Sequence, residues 1–289
     1  NAEDDWRNMW DVKDAITFAY NGTPFQRIIY TESHDEVANG RSRVPEAIWP
    51  GNADSWYSKK RSTLAAGVIF TAPGIPMIFQ GQEFLEDEWF SDAEPLDWNR
   101  AADNTGITTL YSDLISLRLN KQGNTRGLTG ENVNVHHVND WDKVVAWHRW
   151  MDGGVGDDVI VLANFRNQAW EDYRIGLPSA GLWKIRFNSD SQTYDAGYDG
   201  HPCDEVTAEA IAWDGMPYSA SFKFGPYTMG IFSQSPPCPM DLDGDGGVNV
   251  DEVLLVIASW GTSGADVTGD GQTDVNDLLA IIGAFGSCP

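Results

Sequence analysis

Acidic residues gather at two places in this 289-residue chain, and the spacing at each suggests a different chemistry. At the first, the apolar run Ile28-Ile29-Tyr30 ends abruptly in Glu32, Ser33, His34, Asp35 and Glu36. A carboxylate and an imidazole held at the end of a buried strand can grip sugar hydroxyls and stabilise positive charge developing at an anomeric carbon. Gln82-Glu83 stands in the same relation to the apolar run from Met77 to Gln80. The same residue types also describe an acidic loop with a capping aspartate, and by themselves they leave both readings open.

The second place is the tail, residues 241–289, with nine acids and no Lys or Arg. Displaced by 25 residues it matches itself: Asp241 falls on Asp266, Asp245 on Asp270, Gly246 on Gly271, Glu252 on Asp277 and Leu254 on Leu279. The first copy, "DLDGDGGVNVDE", satisfies the twelve-residue calcium-loop pattern. Asp241, Asp243, Asp245 and Glu252 offer side-chain oxygens, the Gly247 carbonyl stands between them, and Asn249 is close by; Gly246 allows the sharp turn that gathers them around one hard cation. In the second copy, "DVTGDGQTDVND", the corresponding ligands are Asp266, Thr268, Asp270, Gln272, Asp274 and Asp277. Thr268 replaces an acid or amide and Asp277 is one methylene shorter than Glu, so weaker binding is expected there. The pattern predicts two calcium ions, with metal binding coupled to folding because clustered carboxylates repel one another.

The elements that must position these groups fall into three segments. Residues 1–119 alternate helix and strand, a parallel-sheet pattern: a helix in "DWRNMWDVKDAITFAYNG", a strand over Gln26 to Thr31, a helix in "SKKRSTLAAGVIF", a second strand at "MIFQ", and an amphipathic helix in "ITTLYSDLISLRLN". Two parallel strands leave unpaired edges, which predicts further strands from sequence upstream of Asn1. Residues 120–235 change to short alternating runs such as "VVAWHRW" and "VIVLANF" separated by turn residues, the signature of an antiparallel sandwich. His136, His137 and His148 lie there and read as sheet residues. Residues 236–240 read as part of a Pro- and Ser-rich linker, and 241–289 as a small helical calcium-binding domain, each loop running into a short apolar helix ended by Gly.

Composition narrows the partners. With 19 basic against 43 acidic residues, the net charge of −24 repels nucleic acid and anionic membranes and favours neutral substrates, cations or basic partners. No apolar stretch approaches the roughly 20 residues of a membrane helix. No basic-then-apolar leader follows Asn1. Thirteen Trp and nine Tyr fit both packed cores and sugar stacking. Of three cysteines, Cys238 and Cys288 bracket the acidic tail in matching settings, "PPCP" and "GSCP", which predicts a disulfide and an oxidising compartment, while Cys203 has no obvious mate.

"YTESHDE" resembles the fourth signature region of the α-amylase superfamily, glycoside hydrolase family 13, on strand seven of its (β/α)8 TIM barrel. "TAPGIPMIFQGQEF" resembles strand eight in the form seen in 1,4-α-glucan branching enzymes. The spacing and the following β-sandwich extend the resemblance over roughly residues 1–235. It implies that Asp35 is the third catalytic carboxylate, holding substrate hydroxyls and favouring the distorted ring, and that His34 hydrogen-bonds the sugar at the cleavage point. The nucleophile and general acid of this family belong to strands four and five, which are not in this sequence. The resemblance therefore implies an α-glucan-transferring enzyme as a longer protein, with no activity in these residues alone. An α-amylase-type hydrolase is the nearest alternative, and a non-catalytic binding or anchoring module is one of another class. The tail resembles a type I dockerin, which implies a cohesin or cell-surface scaffold as partner and an extracellular or cell-surface location. Loop positions ten and eleven, where dockerins often carry a Ser/Thr pair, are here Val250-Asp251 and Val275-Asn276.

Overall fold

A computed structural model describes residues 3–38, 40–236, 238–243 and 247–287. The chain divides into two compact units, Asn1–Gln234 and Ser235–Pro289.

The first unit opens with α1 (Met9–Thr17), β1 (Ile28–Ile29), α2 (His34–Val37), α3 (Val44–Ile48), α4 (Trp56–Thr71), β2 (Ile75–Pro76), α5 (Trp98–Asp103) and α6 (Thr105–Arg118). β1 and β2 pair in parallel, Ile28 opposite Ile75 and Ile29 opposite Pro76. Two expectations need correction here. The run read as a buried strand is open, with Ile28 57%, Tyr30 43% and Ile75 49% exposed, and Met77 to Gln80 lies outside any regular element. The physical reason is common to both: β1 and β2 form a two-stranded sheet, and among the described residues no further strand extends the ladder.

Eight antiparallel strands follow: β3 (Asn132–Asn139), β4 (Val144–Trp150), β5 (Val159–Asn164), β6 (Trp170–Leu177), β7 (Gly181–Asn188), β8 (Val206–Ala208), β9 (Tyr218–Phe224) and β10 (Met229–Ser233). Six of them make one sheet in the order β3-β4-β5-β10-β7-β8, and β6 pairs with β9 in a second. Side chains alternate faces along a strand, and β4 and β5 use both. Val145, Trp147, Val159, Val161 and Ala163 share a core with the helical residues Met9, Leu64, Phe70, Leu110 and Leu114. Val144, Ala146, Ile160 and Leu162 point the other way, into a core with Ile175, Leu177, Phe222 and Phe224 of β6 and β9. The large sheet is thus covered by helices on one face and strands on the other, and the helical segment and the sandwich share one hydrophobic cluster.

Close approach reinforces that packing. A Cβ at Gly67 of α4 would stand 2.4 Å from Met229 Sδ of β10, so the helix lies this near the sheet with the Met229 side chain filling the space a Cβ would take. The Lys60 ammonium of α4 meets Asp190 Oδ1 at 2.5 Å, both side chains fully buried. Three arginines hold the C-terminal end of α4 and the turn after it: Arg149 donates to Thr71 O, Arg118 to Ala72 O at 2.8 Å and Gly74 O at 2.6 Å, and Arg27 to Pro73 O at 2.9 Å. Burial without a carboxylate partner, with Arg118 and Arg27 nearby, lowers the Arg149 pKa to about 9.

The second unit contains β11 (Gly247–Val248), α7 (Val250–Ala258), α8 (Val275–Gly283) and β12 (Gly286–Ser287), with β11 and β12 antiparallel. Val248, Val256, Ala265 and Ile281 form its small core. Cys238 is disulfide-bonded and Cys203 is a free, buried thiol. Cys288, the expected mate, lies outside the described residues.

Candidate functional site

The stretch after β1 folds as a single helical turn. Ser33 caps α2 by accepting the Glu36 N–H at 3.3 Å, which fixes where His34 and Asp35 emerge. His34 Nδ1 lies 3.2 Å from Asp35 Oδ1, and its ring meets Phe90 edge-on at 5.0 Å. Both groups are open: the side chains are 63% and 95% exposed. Glu32 has the opposite character. Its carboxylate is buried, accepts the Val44 N–H at 2.7 Å and pairs with buried Arg43 at 3.2 Å, while Arg43 donates onward to Gln80 O at 2.8 Å and Glu88 O at 2.9 Å. Burial raises the Glu32 pKa, against the Val44 N–H and the Arg43 charge. The buried acid therefore joins the α2 turn to α3 and the segment after β2, and the exposed acid is left free to meet a ligand.

Gln82 also serves the scaffold, donating to Thr31 Oγ1 and accepting from Phe79 N at 3.2 Å. Beside it, Glu83 Oε2 and Tyr111 Oη are buried and have no hydrogen-bond partner among the described residues. Both line a groove of about 440 Å³ with Ile78, Gln80 and Thr108. Burial, with Glu32 and Glu83 nearby, raises the Tyr111 pKa. Tyr111 carried no sequence signal, because it reads as one more apolar-face position of an amphipathic helix.

His136, His137 and His148 of the sandwich have protein partners. His136 Nε2 lies 3.1 Å from Gly176 O, His137 sits between Asp214 Oδ1 at 3.0 Å and Tyr173 Oη at 3.1 Å, and His148 Nε2 lies 2.8 Å from Asp158 Oδ1.

In the tail, Asp241, Asp243 and Glu252 bring carboxylate oxygens within 4.8 Å of one another. Asp245 lies outside the described residues. Gly247 begins β11, and Asn249 caps α7 by accepting the Asp251 N–H at 2.8 Å. Glu252 Oε2 accepts the Asn249 N–H at 2.6 Å, completing a capping box, while Oε1 is buried and without a hydrogen-bond partner among the described residues. An acceptor left bare beside two other acids fits a hard cation, which would take oxygens from this set. In the second loop the acids accept from the loop's own backbone. Asp266 accepts from Gly269 N, Asp270 N and Gly271 N, Asp270 from Gln272 N, and Asp274 caps α8 through Asn276 N. Both oxygens of Asp277 are engaged by the loop's own donors, including Thr268. Asp277, unlike Glu252, therefore has no oxygen left without a donor.

Residues 135–235 match the family model described as "Alpha amylase, C-terminal all-beta domain". Over these residues the chain is similar to the C-terminal all-β domain of α-amylases. It is 29% identical over 226 residues to the 1,4-alpha-glucan branching enzyme GlgB of Paramagnetospirillum magneticum, covering 76% of this chain and 30% of that protein. The same enzyme of Burkholderia thailandensis is 31% identical over 229 residues, with 76% and 26% covered. The chain thus spans under a third of the length of these curated relatives. Among solved structures, a pullulanase from Anoxybacillus sp. LM18-11 complexed with maltotetraose superposes with a TM-score of 0.53 at 18% identity, over 80% of this chain and 32% of that one. At that identity the likeness is one of fold, and it takes in helical residues as well as the sandwich, since the sandwich alone is a smaller share of the chain.

Proposed function

We propose that the chain is the C-terminal part of a secreted, branching-enzyme-like protein that breaks an α-1,4 glucosidic bond and transfers the released chain to a glucose 6-hydroxyl. The observation that carries this reading is the His34–Asp35 pair, set on a capped helical turn after β1 and left open to solvent, in a chain resembling branching enzymes over three quarters of its length. A carboxylate so placed can accept hydrogen bonds from sugar hydroxyls and stabilise an oxocarbenium-like transition state by its charge, and the imidazole can orient one hydroxyl beside it. Glu32 and Arg43 would be positioning residues, since they fix the turn without reaching solvent. In this reading residues 1–119 complete a (β/α)8 barrel, and a retaining double displacement needs an Asp nucleophile and a Glu acid from its preceding strands. No residue here takes either role, and these residues alone turn over no glucan.

The tail, in the same reading, is a dockerin-like anchor for a cohesin or other cell-surface scaffold, with Asp241, Asp243, Gly247, Asn249 and Glu252 holding calcium. Bound calcium would neutralise the clustered charge and let the loop close; it takes no part in glucan chemistry.

The test is amylose treatment by the protein that joins this sequence to its nucleophile and acid, followed by iodine staining and a reducing-end count. Branching lowers the iodine absorbance with no new reducing ends, and hydrolysis lowers it with one new end per cut. Asp35→Asn should reduce transfer by on the order of 10²-fold or more and leave the melting temperature unchanged, because the side chain is 95% exposed. Full activity in that variant would remove Asp35 from the active site.

A further inference from the structure

The two tail loops share one repeat, and among the described residues the acids at their twelfth positions differ in how one oxygen is satisfied. At the twelfth loop position, each acid gives one oxygen to the backbone N–H of its helix cap: Glu252 Oε2 to Asn249 N at 2.6 Å, and Asp277 Oδ2 to Asp274 N at 2.7 Å. The other oxygens part company. Glu252 Oε1 is buried and has no hydrogen-bond partner among the described residues, and the Glu252 carboxylate lies within 4.8 Å of acids Asp241 and Asp243. Asp277 Oδ1 accepts three hydrogen bonds, from Val267 N at 2.9 Å, Thr268 N at 3.0 Å and Thr268 Oγ1 at 3.0 Å.

The third loop position explains the difference. Asp243 is an acceptor only, so it brings no donor to Glu252. Thr268 brings an O–H, so the equivalent contact to Asp277 is attractive with no cation present. The shorter Asp277 side chain keeps its oxygens close to the N–H groups of Val267 and Thr268. Among the described residues, no group of three acids in the second loop comes within the spacing seen in the first.

We infer that this unit holds one calcium ion, in the first loop, and that the second loop is a metal-independent brace closed by Thr268 and Asp277. The inference rests on reading the first loop as a calcium site. To admit a second ion, Asp277 Oδ1 would have to release three donors, and Thr268 would offer a neutral hydroxyl where Asp243 offers a charge. The repeat would then divide labour: one copy makes folding of the unit sensitive to calcium, and the other sets the α8 helix without it.

The experiment is calorimetric titration of the chelator-treated 289-residue chain with calcium. One ion per chain is expected, Glu252→Gln should lose it, and Thr268→Asp should raise the count to two. Because either variant could disturb the small core, amide spectra of the unaltered chain supply a second readout. One equivalent of calcium should shift resonances of residues 241–252 and leave Val267, Thr268 and Asp277 in place. Two ions with affinities within tenfold of each other, or equal shifts in both loops, would overturn the inference while leaving the calcium reading intact. No bound calcium at all would overturn that reading and this inference with it.

Discussion

Burial sorts the carboxylates of residues 32–36 into two kinds. Glu32 is in the interior, where Arg43 and the Val44 N–H compensate it, and Asp35, three residues on, is almost fully solvated. An alternating pattern could not separate them, because the helical turn capped by Ser33 sets which side chain turns inward. The same scale governs His136. Burial lowers its pKa from 6.5 to about 4, outweighing the Asn134 carbonyl and the Asp214 charge, with His148 and His137 lowering it further. The neutral ring can donate Nε2–H to Gly176 O. Between pH 6.5 and 4 the unfolded chain binds a proton that the folded chain refuses, so stability is lost as the pH falls through that window. Comparing urea unfolding at pH 7.5 and 5, the native chain should lose roughly 1–2 kcal/mol more than His136→Gln. An equal loss in both would remove His136 from the pH response.

At the scale of elements, the last turn of α4 and the turn after it are held by side chains from distant elements. Helix ends leave backbone carbonyls without intrahelical partners, and here Arg149 from β4, Arg118 from α6 and Arg27 from before β1 supply the donors. Arg149 also donates to Leu128 O, Gly130 O and Asn132 O, so one guanidinium ties the α4 end to the chain entering β3. Arg149→Met keeps much of the volume and leaves those carbonyls unpaired. It should cost at least about 3 kcal/mol in denaturant unfolding, from several unsatisfied buried acceptors at about 1 kcal/mol or more each. A cost under about 1 kcal/mol would mean that other groups replace the guanidinium's bonds. Gly67 makes the complementary point: helix and sheet meet through the absence of a side chain as well as through side chains.

At the scale of the whole molecule, the helical segment and the sandwich share a core, and the tail is a unit with a core of its own. The four buried apolar residues of that core, against carboxylates gathered in the first loop, make a unit that a cation can stabilise strongly. Calorimetry should show two transitions. Calcium at 100 times its Kd should stabilise the tail unit by about 2.7 kcal/mol and leave the larger unit's transition in place. A single transition that moves as a whole would mean that the two units unfold together.

The sequence by itself determined the antiparallel strands of the sandwich, the helices α4, α6, α7 and α8, and the 25-residue repeat, because each is a local pattern of period, turn residues or spacing. It also singled out His34, Asp35 and Gln82-Glu83 as the polar groups that follow two apolar runs. Four things were decided by tertiary structure alone. These are the division of labour between Glu32 and Asp35, the bare oxygens of Glu83 and Tyr111, the arginines at the α4 end, and the opposite states of Glu252 and Asp277. The reason is the same in each case. Whether a polar atom is satisfied depends on donors and acceptors that the fold brings from elsewhere or turns away, and neither residue type nor spacing along the chain records that.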